Sequence, residues 1–122
     1  MKRLSILFIG LVCAATFHAN AAEEGFKTVA NVYQNSAALA GQSVRLQGKV
    51  AKVVSGIKKR NFVHIQDGTG DANTNDLIVI SKQTAKVGDQ VTVSGVVVTN
   101  QDFGSGYFYP LLLDNSSIEI NK

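Results

Sequence analysis

The side chains best suited to chemistry fall close together between Lys58 and Gln66. Lys58, Lys59 and Arg60 form a run of cations, and Phe62, His64 and Gln66 follow at alternate positions. Alternate residues of an extended strand share a face. A ring, an imidazole and a carboxamide are therefore expected on one side, with Val63 and Ile65 on the other. A ring with cations beside it can stack on a planar group and hold an anion. His64 on its own invites a metal or haem reading. A closed metal site, however, needs about three or four ligands. After residue 21 the chain has no Cys, no Met and no second His. Soft copper and structural zinc thus lack a ligand set, and His64 reads as a hydrogen-bonding residue of a sheet face. No cofactor is expected.

Two further stretches carry candidate groups. Asp102-Phe-Gly-Ser-Gly-Tyr-Phe-Tyr109 sets aromatics beside glycines. One reading has Tyr107, Phe108 and Tyr109 plugging the end of a barrel, and this is the favoured one. In the other, the glycines let a partner come close while Phe103 and Tyr107 touch it. Asp71-x-Asn73-x-Asn75 begins like a calcium loop, but Asp76 stands where glycine is required and Lys82 where the closing glutamate belongs. It reads as a turn rich in Asx residues. Asp67-Gly-Thr-Gly70 precedes a polar loop rather than a helix, so it too reads as a structural turn.

Catalytic groupings are missing from this pattern. No thiol survives past residue 21, no Ser/His/Asp set sits in a strand-turn-helix context, and Asp67 and Asp102 have no evident carboxylate partner. The chain reads as a binding protein and not an enzyme. Its candidate ligand-binding residues are Lys49, Lys58, Lys59, Arg60, Phe62, His64, Gln66, Phe103 and Tyr107, with Arg45, Gln47 and Lys49 expected as first-strand neighbours of Phe62 and His64.

The elements that must position these groups follow from periodicity. Residues 1–21 have the form of a cleavable signal peptide. Lys2 and Arg3 lead an apolar run from Leu4 to Ala15, too short to span a membrane, and Ala19-Asn20-Ala21 is a cleavage site. The product is expected in the periplasm or outside the cell, with no transmembrane segment. Of 122 residues with 12 basic and 9 acidic side chains, removing Lys2 and Arg3 leaves ten against nine, a net charge of +1. That balance makes no global electrostatic case for nucleic acid.

Residues 22–122 suit one domain. Thr28 to Ala40 has helical spacing, with Thr28 as cap and Gly41 just past the end. Ser43 to Val54 alternates, placing Val44, Leu46, Val50 and Val54 on one face; Gly48 on that face predicts a bend that lets one strand serve two sheet segments. Asn61 to Gln66, Leu77 to Ile80, Gln90 to Thr99, and Tyr107 to Leu113 with Ser117 to Ile120 supply the remaining strands. Pro110 argues for an edge position. Ser81 to Val87 is open between a turn of helix and plain loop. The fold class predicted is all-β with one short N-terminal helix: a five-stranded Greek-key barrel.

Leu39-Ala-Gly41, Val44-Arg-Leu-Gln-Gly-Lys-Val50, Asn61-Phe-Val-His-Ile-Gln-Asp-Gly-Thr-Gly70, Asp76-Leu77, Val87-Gly-Asp89 and Asp102-Phe-Gly-Ser-Gly-Tyr107 occur in that order. This series resembles the small exported OB-fold proteins labelled nucleotide- or DNA-binding, including nitrite-reductase accessory (NrfJ-like) proteins. Phe62 stands where that family has Trp. The resemblance implies an OB fold over nearly the whole of residues 22–122, and an accessory role beside periplasmic redox enzymes. Exported OB-fold haem chaperones place a Tyr four residues after their His; here that residue is Gly68, which does not support haem chemistry.

The expected function is a monomeric exported OB-fold module that holds a partner protein or small ligand. The alternative is single-stranded nucleic acid or a nucleotide, gripped through Phe62, His64 and the Lys58–Arg60 turn.

Overall fold

Fifteen residues, Ser43–Ile57, form β1, and this strand makes two partnerships. Its first part, Ser43 to Lys49, pairs antiparallel with β4 (Gln90–Asp102). Its second part, Lys49 to Ile57, pairs antiparallel with β2 (Arg60–Gln66). The change of partner falls beside Gly48. A Cβ there would lie 2.5 Å from Ile65 Cγ2 and 2.8 Å from the Gln66 carbonyl oxygen. Only glycine lets the two strands come this close, which is the physical content of the predicted bend.

The remaining pairings close the ring. β2 pairs antiparallel with β3 (Leu77–Ser81), β3 parallel with β5 (Phe108–Ile120), and β5 antiparallel with β4. The order β1-β2-β3-β5-β4 returns to β1 as a closed barrel, the five-stranded Greek-key architecture read from the sequence. A computed structural model describes residues 25–121. The signal-peptide reading of residues 1–21 lies outside them. Among the described residues no helix is long and apolar enough to cross a membrane.

Two apolar clusters result. Inside the barrel, Leu46, Val50, Val63, Ile65, Leu77, Val79, Val91, Val93 and Leu113 pack together. Outside it, Phe62, Ile80 and Leu112 form a second cluster with Val54, Ile57, Val98, Phe103 and Tyr109 against them. Val54 belongs to the outer cluster, contrary to the face assigned from alternation. The register of β1 on β2 shifts between Val50 and Lys52, and one extra residue in a strand turns every later side chain to the opposite face. Val53 packs on the core in its place.

The N-terminal helix is two short pieces rather than one, α1 (Val29–Gln34) and α2 (Ser36–Leu39). Asn35 ends the first. Its side-chain amide donates to the carbonyl of Asn31, sharing the acceptor of the helical bond from its own backbone N–H, and such side-chain bonds compete with continuing the helix. Val29 and Val32 are buried as their spacing predicts. Gly41, with φ +84°, follows the end. Residues 82–87 form plain loop. The last strand runs unbroken through Asn115, where separate pieces were expected. Pro110 lies before the residues of β5 that pair with β3, so it faces one neighbour only and costs no second ladder bond.

Candidate binding cleft between two hairpins

The β1–β2 hairpin turns on Lys58 and Lys59, which have φ of 52° and 68°. Two left-handed residues in succession give the turn whose twist matches a β-hairpin, and Asn-Gly suits it best. Ordinary side chains there are disfavoured by about 1–2 kcal/mol per residue. The β4–β5 hairpin turns on Gly104-Ser-Gly106, held by the Phe103 N–H donating to the Tyr107 carbonyl (2.8 Å) and the Gly104 N–H donating to Asp102 Oδ1 (2.8 Å). Among the described residues, five non-glycine residues adopt positive φ: Lys58, Lys59, Asn100, Ser105 and Asn115. Three of them, Lys58, Lys59 and Ser105, lie in the turns of these two hairpins. Such strain collects where a segment is shaped for contact rather than for stability.

Between the hairpins lies a cleft of about 320 Å³, lined by Ile57, Lys58, Arg60, Phe62, Phe103, Gly104, Ser105, Tyr107 and Tyr109. Phe62, Phe103 and Tyr109 form its floor, each pair of rings 5.8 Å apart between centroids. Edge-to-face and tilted pairings of this kind use the ring quadrupoles favourably. Their consequence for the candidate residues is direct. Phe62 does project outward, but it is only 6% exposed because the second hairpin folds over it. It is floor and not a free stacking platform. Tyr107 and Phe108 are 56% and 54% exposed and plug nothing. Tyr109 packs on the outer cluster, so the barrel-plug reading is wrong for all three residues. The barrel end needs no plug because aliphatic side chains fill the interior.

Five of the nine candidates thus converge on the cleft: Lys58, Arg60, Phe62, Phe103 and Tyr107, with Lys59 exposed at the turn. The others sit elsewhere, His64 and Gln66 along β2 and Lys49 on β1. His64 faces Lys52 across the β1 pairing, and its Nδ1 lies 2.7 Å from Asp76 Oδ2. The Gln66 amide donates to Asp76 Oδ1 at 3.2 Å, and the Tyr33 hydroxyl donates to the Asp76 carbonyl at 2.6 Å. Asp76 therefore ties the β2 face to α1. Burial, and secondarily the charge of Asp76, raises the Tyr33 phenol above its ordinary value of 10.0. Lys49 stands opposite Gln66 at the far end of β2, in an open groove with Gly68 and Gly88. Arg45 and Gln47 are not neighbours of Phe62 and His64. They pair with Ser94 and Thr92 of β4, and the Arg45 guanidinium lies 4.6 Å over the Phe26 ring.

The acidic loop after β2 is structural, as its sequence suggests. Asp67 Oδ2 accepts the Val29 N–H and Thr69 Oγ1 accepts the Ala30 N–H, each at 2.9 Å. Thr28 and Asn31 complete a capping box. The first N–H groups of α1 are thereby all matched. Asp71 accepts from the Asn73 N–H and the Thr74 hydroxyl, bonds that lower its carboxyl below the ordinary value. Among the described residues no group of three or more His, Cys, Asp or Glu is placed to hold a metal.

Ile57, Ser105 and Tyr109 line the cleft without having been candidates. Tyr109 carried a signal, since alternation through the β5 strand sets it on the face of Tyr107, but only the folded hairpin brings it to Phe62. Asp76 carried none: nine residues of loop separate it from Gln66.

No family model matches the sequence, and no curated protein matches it. Solved structures do share the fold. An OBody, AM2EP06, bound to hen egg-white lysozyme superposes with a TM-score of 0.56 at 19% identity, covering 77% of this chain and 90% of that one. A second, OBody AM3L09 bound to the same protein, gives 0.52 at 19% identity, covering 68% and 84%. The barrel is an OB fold.

Proposed function

We propose that the protein is a binding module that holds a partner protein in the cleft between its two hairpins. The observation carrying this is the contrast within the cleft. Its floor is three interlocked rings, while Tyr107 in its lining stands more than half exposed. Large apolar side chains left in water beside a formed apolar recess mark an interaction surface. That the OB folds similar to this chain are seen bound to lysozyme supports a barrel of this kind presenting a protein-binding face. The leader-like form of residues 1–21 supports a partner in the periplasm or outside the cell, and an accessory role beside exported redox enzymes is the pathway in which we would look for it.

Photocrosslinking in cells tests the reading. A benzophenone side chain replaces Tyr107 in one variant and Gln47, on the β1–β4 face, in another. Adducts to a discrete partner from position 107 and none from position 47 are expected. Adducts from 47 alone, or from neither, overturn the proposal.

A further inference from the structure

Resting on that cleft as the binding site, the geometry points to a specific occupant: an extended acidic peptide segment of the partner, in which one large apolar side chain is flanked by Asp or Glu. The floor selects the apolar group. Phe62, Phe103 and Tyr109 offer no charge, and a recess of about 320 Å³ lies at the low end of ligand pockets, room for one large side chain. The rim selects the acids. Lys58, Lys59 and Arg60 are consecutive. Among the described residues Lys58 and Lys59 form no ion pair, and Arg60 only approaches Asp114 at 4.0 Å, with both side chains well exposed. The acid on the opposite hairpin, Asp102, is already engaged with the Gly104 N–H. A turn that keeps two lysines in left-handed conformations, where Asn-Gly would fold more readily, presents unneutralised ammonium groups beside an apolar recess. Gly104 on the opposite wall carries no side chain, so a peptide backbone can approach the cleft there.

The same surface suits single-stranded nucleic acid less well. Base stacking needs open ring faces in series. Here the rings of the floor pack edge-on and tilted against one another and Phe62 is nearly buried, leaving Tyr107 as the one open ring of the lining.

The test is a fluorescence-anisotropy panel on the purified protein. The probes are a labelled nonapeptide with a central Phe flanked by Glu and Asp, its Gln/Asn counterpart, its counterpart with central Ala, and labelled oligo-dT. The acidic Phe peptide is expected to bind, and each counterpart to bind at least about tenfold more weakly. Lys58→Gln/Lys59→Gln should weaken the acidic peptide about tenfold without changing the neutral one, and raising salt from about 50 to about 300 mM should do likewise. Equal binding of the acidic and neutral peptides, both lost in Tyr107→Ala, overturns the acidic class while leaving the cleft as the site. Tighter binding of oligo-dT, lost in the same variant, replaces the occupant with nucleic acid. No binding of any probe overturns the inference, and the crosslinking experiment then decides separately whether the cleft binds protein at all.

Discussion

The ring of Phe62 meets the ring of Phe103 at 5.8 Å between centroids and 66° between planes, and this contact joins the β1–β2 hairpin to the β4–β5 hairpin outside the barrel. The cleft exists because these two residues, one on each arm, hold the arms at a fixed separation. Tyr109 completes the floor from the strand that follows.

Removing the Phe62 ring should therefore cost both stability and shape. Phe62→Ala is expected to destabilise the protein by about 3 kcal/mol, in the range for a buried ring lost to a cavity. Tyr107→Ala, at an exposed position, should change stability by less than about 0.5 kcal/mol. Urea unfolding of both variants checks this. Similar losses in the two would mean that Tyr107 packs into the fold after all.

Exchanging Lys58-Lys59 for Asn-Gly separates strain from function. The replacement suits left-handed turn positions, so the hairpin should gain roughly 1–2 kcal/mol. Binding of the acidic peptide should fall in the same protein. Stability up and affinity down is the signature of residues kept for contact. A variant that is neither more stable nor weaker in binding would remove the turn from the site.

Much of this arrangement was legible in the residues. Alternation from Val44 to Val50 and the glycine at position 48 were enough to anticipate a strand shared by two sheet segments. The outward projection of Phe62 followed from its parity with His64. What parity could not say is whether outward means solvent. That depends on a hairpin some forty residues later folding over β2, a long-range event with no local trace. Val54 failed for a different reason: Lys52-Val-Val54 continues a plausible alternation, and the bulge at Ala51 is set by pairing with β2. The candidate site split for a third reason. Residues at alternate positions share a face, yet each step along a strand advances about 3.3 Å, so Arg60 and Gln66 stand at opposite ends of it.

The Asp67 carboxylate caps a helix from 38 residues away. Asp67→Ala removes acceptors for the Val29 and Thr69 N–H groups and should cost about 1–2 kcal/mol. Asp67→Asn, which keeps one side-chain oxygen, should recover part of it. Thermal unfolding of the three proteins orders them; an unchanged midpoint in Asp67→Ala would show the loop to be dispensable to α1.

Alkaline pH should report on Tyr33. Its phenol is raised above 10.0 in the fold, first by burial and then by Asp76. Below pH 10 the folded and unfolded chains both keep this proton, and the group leaves stability unchanged. Above pH 10 the unfolded chain releases it first, so stability declines until the folded phenol also ionises. Tyr33→Phe should show a shallower alkaline decline than the parent, measured by urea midpoints across the range. Parallel curves would contradict the assignment.

The cleft itself is tested most directly by residue-resolved amide shifts of ¹⁵N-labelled protein titrated in turn with the acidic Phe peptide, its counterparts and oligo-dT. Whichever probe binds, occupation of the cleft predicts that the amides of Lys58, Arg60, Phe103, Gly104 and Tyr107 move first and furthest, while those of Lys49, Gln66 and Gly88 stay in place. Shifts gathered on Lys49, Gln66 and Gly88, or around His64 and Asp76, with the hairpin amides unmoved, would contradict it.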